Sequence, residues 1–351
     1  MTGGLNVETF SIQQGIAQLV EGRHLNREQA ASLMAQIMEG QVSQAQFGSL
    51  MTALRIKGET IEEVTGFAQS MRRYARKVAT DSANLLDTCG TGGDGAHTFN
   101  ISTASALVAA AGGIRVAKHG NRAASSKSGS ADVLEALGVN IALDDAGAAR
   151  CLDKLGICFM FAQVFHQSMK HAAVPRKEIG IRTVFNLLGP LTNPASADRQ
   201  LLGVFDLDKT ELMANVLREL GLKRGMVVAS HDGLDEISIS ASTRITELKN
   251  GQVATYDLTP DDLGLRASGI EAITGGDAAT NADIILSVLR GERGAYRDVV
   301  LANAGACFYV SERCTTLQEG VKLSAAAIDS GRAYQKLQEL IQYTKELSHV
   351  S

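Results

Sequence analysis

From Asn26 to about residue 77, apolar side chains recur at helical spacing: Leu33 and Ile37, Leu50 and Leu54, then Ile61, Val64, Phe67 and Met71. A period near 3.6 gathers each set on one helix face. Helix starts are signalled at Asn26 with Gln29, Ser43 with Gln46 and Thr60 with Glu63. In each pair a short oxygen side chain accepts from an N–H left unpaired at the helix start, and the Glu or Gln reaches back to the cap. Gly40 and Gly58 stand where helices should stop, because glycine adopts the left-handed conformation that ends them. Residues 1 to about 77 read as helices only.

Near Asp81 the pattern changes to short apolar runs alternating with helical ones. Leu85-Leu86 leads into a glycine loop, followed by a small apolar helix from Ala104 to Ala111. Ile114 to Lys118 reads as a strand and Ala131 to Leu137 as a helix. Further strand candidates are Cys158–Phe161, Leu201–Phe205, Met226–Ser230 and Ile237–Ser240, with a helical pattern from Lys209 to Leu220. Asn250-Gly251 between Ile245–Leu248 and Val253–Tyr256 is a hairpin signal. His166 to Leu188 interrupts the alternation with helix-like sequence closed by Gly189-Pro190, and Leu317 to Leu347 reads as two helices. Alternating strands and helices predict an α/β fold whose central sheet is mostly parallel.

Composition narrows the picture. Of 351 residues, 45% are hydrophobic, enough for a sizeable core and, at roughly 100–200 residues per domain, for two domains. Charged residues make up 21%, both signs are interspersed and the formal net charge is -4. A nucleic-acid protein would usually carry a basic stripe, so none is expected as a partner. An anionic substrate on such a chain needs local cations or metal ions. The five cysteines are scattered, odd in number and free of C-x-x-C pairs, which predicts reduced thiols in the cytoplasm. Met1 to Phe10 lacks an apolar signal core, and no stretch approaches the ~18 apolar residues of a membrane span.

Chemistry concentrates in four places. In Gly90-Thr91-Gly92-Gly93-Asp94 the glycines let backbone approach a phosphate closely. Asn100, Ser102 and Thr103 add polar groups where the following helix starts and its N–H groups give a positive field. The letters Gly90-x-Gly92-x-x-Gly95 match a dinucleotide loop, but the next strand ends in Lys118 where a ribose-binding acid should stand. The second place, Lys118 to Ser130, supplies Lys118, His119, Asn121, Arg122, Ser125, Ser126, Lys127, Ser128 and Ser130 at the same sheet edge. Two facing polar loops can enclose a diphosphate. His119 reads equally well as structural or catalytic. The third, His231-Asp-Gly-Leu-Asp235-Glu236, places adjacent carboxylates after a strand, where Mg²⁺ could use them. Alone it reads as a charged surface turn; two phosphate-suited loops nearby tip it toward metal. The fourth, His166 to Pro194, holds Lys170, His171, Arg176, Lys177 and Arg182. Spacing alone makes it a solvated basic face, although Arg176 could grip a carboxylate bidentately.

Taken in order, Asp87-Thr-Cys-Gly-Thr-Gly-Gly-Asp94, Asn100-Ile-Ser-Thr103, Lys118-His-Gly-Asn-Arg122 and Ser128 to Gly138 form one recognisable set. Arg182-Thr-Val-Phe-Asn-Leu-Leu-Gly-Pro-Leu-Thr-Asn-Pro194, His231 to Glu236 and Leu301-Ala-Asn-Ala-Gly-Ala306 complete it. Together these resemble the anthranilate phosphoribosyltransferase family over almost the whole chain. The resemblance implies a small all-helical domain (1–77, completed by about 166–190) hinged to a large α/β domain (78–165 and 191–351), usually as a homodimer. It implies that anthranilate's amine attacks C1 of 5-phosphoribosyl 1-diphosphate in tryptophan biosynthesis, a pentosyl transfer with two Mg²⁺ ions per subunit. It assigns Gly90, Gly93, Asp94, Thr98, Asn100, Ser102, Thr103, Lys118, His119, Gly120, Asn121, Arg122, Ala123, Ala124, Ser125, Ser126 and Ser130 to the donor. It assigns Ser102, Asp235 and Glu236 to magnesium, and Gly90, Asn121 and Arg176 to anthranilate. Lys118 with Mg²⁺ would stabilise the departing diphosphate. The sequence departs from the family pattern beside Arg176: no proline stands at Gln163 or Gln167, and Val174-Pro175 reverses the commoner order.

Two rivals share the fold. A pyrimidine nucleoside phosphorylase would use phosphate to cleave a nucleoside; the Asp235-Glu236 pair and the Gly-Thr-Gly-Gly-Asp loop favour the diphosphate sugar. A non-catalytic relative that binds nucleic acid is disfavoured by the acidic charge balance and the intact acidic pair.

Overall fold

The computed structural model describes residues 10–123 and 126–348. The chain forms two compact units, Met1–Ala75 with His166–Thr192, and Arg76–Phe165 with Asn193–Ser351.

In the first unit the expected caps form. Asn26 Oδ1 accepts from Gln29 N–H at 2.8 Å while Gln29 Oε1 accepts from Asn26 N–H at 2.9 Å. Ser43 and Thr60 make the same reciprocal boxes, opening helices Gln44–Lys57 and Ile61–Tyr74. A further box at Ser11 opens Ile12–Val20. Leu33, Ile37, Leu50, Leu54, Val64, Phe67 and Met71 are buried as their period requires, whereas Ile61 is only half-buried. Helices Arg27–Met38 and Ile61–Tyr74 cross closely at Gly66, where a Cβ would come within 2.3 Å of the Arg27 carbonyl. Glu63 closes its box from a fully buried position, and Lys57 Nζ pairs with it at 2.9 Å. The later segment adds Lys170–Ile179 and Phe185–Leu188. Phe185 stacks on Phe47 with ring centroids 5.5 Å apart.

The second unit is built on one sheet: β1 (Leu85–Gly90), β2 (Arg115–Gly120), β3 (Ile157–Phe161), β4 (Arg199–Gly203), β5 (Arg224–Ser230), β6 (Thr243–Lys249) and β7 (Gln252–Leu258). The order is β3-β2-β1-β4-β5-β6-β7. Pairings among β1 to β5 are parallel, and β6 and β7 join antiparallel. Asn250 and Gly251 both take positive φ, 52° and 75°, in the two-residue turn between β6 and β7. The helix after β1 runs Ile101–Ala111, starting three residues before the expected Ala104, and its body is buried. No helix among the described residues is long and apolar enough to cross a membrane.

One expected strand does not form. Ile237–Ser240 alternates apolar and polar residues but pairs with no neighbour. β5 already carries β4 on one edge and β6 on the other. Ile237 is held instead by the side chain of Asn303, and Ser238 N–H donates to Thr243 Oγ1 at 3.0 Å. Buried backbone groups need partners, and side chains can supply them as well as a ladder can.

The sheet positions the site by its winding. From β1 the chain proceeds through β2 to β3 on one side, then returns to lay β4 on β1's other side. Ligands in open α/β sheets bind at the carboxyl ends flanking such a reversal. Those ends are Gly90 and Gly203, which face each other in register.

Candidate active site

Gly90 and Gly203 have no side chains, and Asp235 occupies the space above them. A Cβ on Gly203 would fall 1.6 Å from the Asp235 carbonyl oxygen, and one on Gly90 would fall 2.3 Å from Asp235 Oδ2. The first loop folds over this carboxylate. Thr91 N–H donates to Gly203 O at 2.9 Å, and Gly92 N–H donates to Asp235 Oδ2 at 2.7 Å. Gly92, Gly93 and Gly95 take φ of 66°, 78° and 73°, which only glycine adopts without strain. Asp94, at the same loop, lies near enough to Asp235 for its charge to oppose ionisation there.

Glu236 accepts Ser102 N–H at 3.1 Å, so the second carboxylate sits at the start of helix Ile101–Ala111. Lys118 projects from β2 beneath them, buried, with Nζ donating to Thr88 O at 2.6 Å and to Ser102 Oγ at 3.3 Å. Burial, with Asp94 beside it, pushes Asp235 above the ordinary carboxylate range. Burial and the Asp235 charge push Glu236 up as well, against the opposing pull of Lys118. Three carboxylates thus converge where only one lysine answers them, an excess of negative charge that a hard cation would relieve. Among the described residues no three acidic, histidine or cysteine side chains converge tightly enough to enclose an ion alone. That suits magnesium, which is held by one or two carboxylates, several waters and substrate phosphates. The residues present therefore fit the metal: Asp235, Glu236 and Ser102 would hold it.

Below this layer Asp87 is fully buried and accepts His119 N–H at 3.1 Å, while Asn193 Nδ2 donates to Ala117 O at 2.8 Å. Burial raises Asp87; hydrogen bonds from Asn193 and His119 and the charge of Lys118 oppose the rise. The pair brackets Lys118 in the chain on both sides.

Asn100 stands at the N-cap of its helix but makes no cap bond. Its amide ties the two loops together: Nδ2 donates to Ser128 O at 3.1 Å, and Oδ1 accepts from Ser128 Oγ at 3.3 Å and from Asn281 Nδ2 at 3.0 Å. Thr98 bridges to Thr274, and Thr103 is buried in the helix's first turn. In the second loop Ser130 Oγ donates to Asn121 O at 3.3 Å, and Ser126 Oγ to Ser128 O at 3.4 Å. Gly120 leaves room for Ser130, whose Oγ would lie 2.1 Å from a Cβ there. Asn121 is exposed, and its Oδ1 accepts Arg122 N–H at 2.8 Å. The Arg122 guanidinium is engaged by Glu135 and Asp132, which raise its pKa, and lies over the Phe161 ring. Ala124 and Ser125 lie outside the described residues.

Asp132, absent from the candidates chosen by sequence, ties this loop at both ends: Oδ2 accepts Ala123 N–H and Gly129 N–H, each at 2.9 Å. Its signal was its place at N3 of the short helix Ser130–Ala136. Asn281, also unforeseen, is buried and accepts Gly276 N–H at 2.7 Å; nothing local marks it.

In the first unit Arg176 lies over Phe185, 5.1 Å from the ring centroid. Burial lowers its pKa, and its guanidinium makes no hydrogen bond or ion pair among the described residues.

Two family models cover the chain: "Glycosyl transferase family, helical bundle domain" matches residues 13–75 and "Glycosyl transferase family, a/b domain" matches residues 82–334. The anthranilate phosphoribosyltransferase of Acetivibrio thermocellus is 54% identical over 333 residues, 95% of this chain and 96% of that protein. The chain belongs to the anthranilate phosphoribosyltransferase family.

Solved structures of the family agree. Anthranilate phosphoribosyltransferase from Thermus thermophilus superposes with a TM-score of 0.90 at 43% identity, covering 94% of this chain and 99% of that one. The Saccharomyces cerevisiae enzyme in complex with PRPP and Mg gives 0.88 at 26% identity, covering 95% and 98%. The small helical unit and the mostly parallel sheet expected from the sequence are therefore those of an anthranilate phosphoribosyltransferase. Where this chain reverses Val174-Pro175, Pro175 is buried inside helix Lys170–Ile179 and Val174 is exposed.

Proposed function

We propose that this chain transfers the phosphoribosyl group of 5-phosphoribosyl 1-diphosphate to the amine of anthranilate, giving N-(5-phosphoribosyl)anthranilate and diphosphate in tryptophan biosynthesis. The observation that carries this reading is the carboxylate pair Asp235-Glu236 seated over the glycine loop, with Gly92 N–H on one acid and Ser102 N–H on the other.

The donor's phosphates lie against Gly90, Gly93, Asp94, Thr98, Asn100, Ser102 and Thr103 on one side, and Lys118 through Ser126 with Ser130 on the other. Asn100 supports this by joining the two loops. Ser102, Asp235 and Glu236 hold magnesium, two ions per subunit. Magnesium bound by these residues would neutralise the diphosphate and the charge that builds on it as it leaves. Lys118, fixed by Thr88 O, adds a charge that does not have to reorganise. The C1–O bond to diphosphate breaks with its electron pair, the amine nitrogen forms the C1–N bond, and the amine proton passes to water. An aromatic amine is weakly basic and its lone pair is free, so much of the rate comes from positioning. Gly90 and Asn121 contact anthranilate, and Arg176 grips its carboxylate. The uncommitted Arg176 guanidinium supports that role, since its five donors suit a carboxylate bidentately.

The resemblance also supports a homodimer, and the large apolar side chains exposed on the helical unit, Val20, Ile56, Val174 and Ile181, fit a protein contact. Free cysteines fit the cytoplasm.

Loss of anthranilate fluorescence on adding 5-phosphoribosyl 1-diphosphate with Mg²⁺ tests the activity, with thymidine and uridine phosphorolysis and a nucleic-acid gel shift alongside. Transfer to anthranilate alone is expected; nucleoside cleavage without transfer would reject the reading. Replacing both Asp235 and Glu236 by alanine should abolish turnover; full activity at ordinary Mg²⁺ would reject the metal assignment.

A further inference from the structure

The segment Leu301-Ala-Asn-Ala-Gly-Ala306 has no role in the chemistry above. It lies in helix Ala295–Val310, most of which is buried. Asn303, 0% exposed, turns its amide out of this helix onto a foreign backbone. Its Oδ1 accepts Ile237 N–H at 2.9 Å, and its Nδ2 donates to Ile237 O at 2.9 Å. The second Nδ2 hydrogen goes to Val299 O at 2.9 Å, one turn back in its own helix. The amide's orientation is fixed, because the flipped form would face an N–H with an NH₂ group and two carbonyls with an oxygen.

Ile237 directly follows Glu236. Residues 233–242 belong to no strand, so the two buried backbone groups of Ile237 have no ladder to join. On the other side of Glu236, the Asp235 carbonyl rests on Gly203 at a distance no side chain would permit. Glu236 is thus held from both flanks. Its carboxylate makes a single hydrogen bond among the described residues, to Ser102 N–H, so its place is set chiefly by the backbone that carries it. The clamp has a firm base. A Cβ on Gly320 would meet Gly305 O at 2.2 Å, so the helix bearing Asn303 lies directly on helix Leu317–Asp329.

We infer that Asn303 is a positioning residue: by pinning both backbone groups of Ile237, it sets Glu236 where the donor complex holds its metal. This rests on the proposed function. Removing the amide leaves buried N–H and C=O groups unmatched, and the segment shifts to find other partners. Groups that orient a metal ligand from behind are worth about 10–100-fold in metal affinity.

Asn303→Ala and the milder Asn303→Ser are compared with the full wild-type chain. Mn²⁺, counted as free ion by electron paramagnetic resonance with 5-phosphoribosyl 1-diphosphate present and with a protein-free control, reports metal affinity directly. Hydrogen exchange at Ile237 reports the clamp, and melting curves report folding. The expected result is a loss of about 10-fold or more in Mn²⁺ affinity, faster exchange at Ile237 and an anthranilate KM within about twofold of wild type. If Asn303→Ala does not fold, Asn303→Ser carries the comparison. Folded variants that exchange faster at Ile237 yet hold Mn²⁺ like an active wild type overturn the inference alone. A wild type that neither transfers nor binds Mn²⁺ with donor overturns both readings.

Discussion

A β-carbon on Gly90 would stand 2.3 Å from Oδ2 of Asp235, the same oxygen that accepts Gly92 N–H. The carboxylate cannot retreat without giving up that bond. Gly90→Ala should therefore displace Asp235 by about an ångström and lower kcat/KM by roughly 100-fold, the usual consequence of such misplacement. Steady-state kinetics at saturating Mg²⁺ checks this; a variant as efficient as wild type would show that the carboxylate's present position is not the working one.

Arg176 is braced by Phe185, which stacks on Phe47. Arg176→Ala should raise the anthranilate KM about 10- to 100-fold, in the range of a lost charged hydrogen bond of about 1.5–3 kcal/mol, and leave the donor KM nearly unchanged. Arg176→Lys should recover little, because lysine cannot bind a carboxylate with two parallel bonds. An unaltered anthranilate KM in the alanine variant sinks the assignment.

Asp132 holds Ala123 and Gly129 together and also pairs with Arg122. Asp132→Ala frees both N–H groups and leaves the loop without its tie. The donor KM should rise about tenfold, the order expected for one lost charge-assisted bond, with the anthranilate KM little affected. A donor KM unchanged from wild type would mean that this loop does not contact the donor.

His166 in the first unit is buried, and that burial pushes its pKa down to about 4 despite a hydrogen bond involving the Thr192 backbone. The unfolded chain protonates near 6.5, so between pH 6.5 and 4 it binds a proton that the folded chain refuses. The contribution to stability is whole above pH 6.5 and is lost as pH falls toward 4, at about 1.4 kcal/mol per unit. Denaturant midpoints measured across that window should fall more steeply for wild type than for His166→Gln. Parallel slopes would show that the imidazole accepts a proton while folded.

Much of the fold is legible because its signals are local. Asn26, Ser43 and Thr60 each find their capping partner three residues on. Asn250-Gly251 turns the chain with its own dihedral angles. Ile237–Ser240 shows the limit: its alternation is that of a strand, but β6 already occupies the edge it would need. Asn100 shows it too: its amide binds Ser128 and Asn281, partners 28 and 181 residues away that no local pattern marks.

By itself, the sequence determined the helix starts at Asn26, Ser43 and Thr60, the hairpin, the strand–helix alternation and the glycine, lysine and acidic residues that carry the resemblance. Those features depend on backbone geometry and bonds within a few residues. Only the tertiary structure decided that Gly90 and Gly203 meet where the sheet reverses, that Asp235 sits on both, and that Asn303 braces the residue after Glu236. Gly92 and Asp235 are 143 residues apart, and Ser102 and Glu236 are 134 apart. The physical reason is burial. A carboxylate in a surface turn is ordinary chemistry, but Asp235 and Glu236, both buried side by side with Lys118 answering only Glu236, create a demand for a cation that no local pattern encodes.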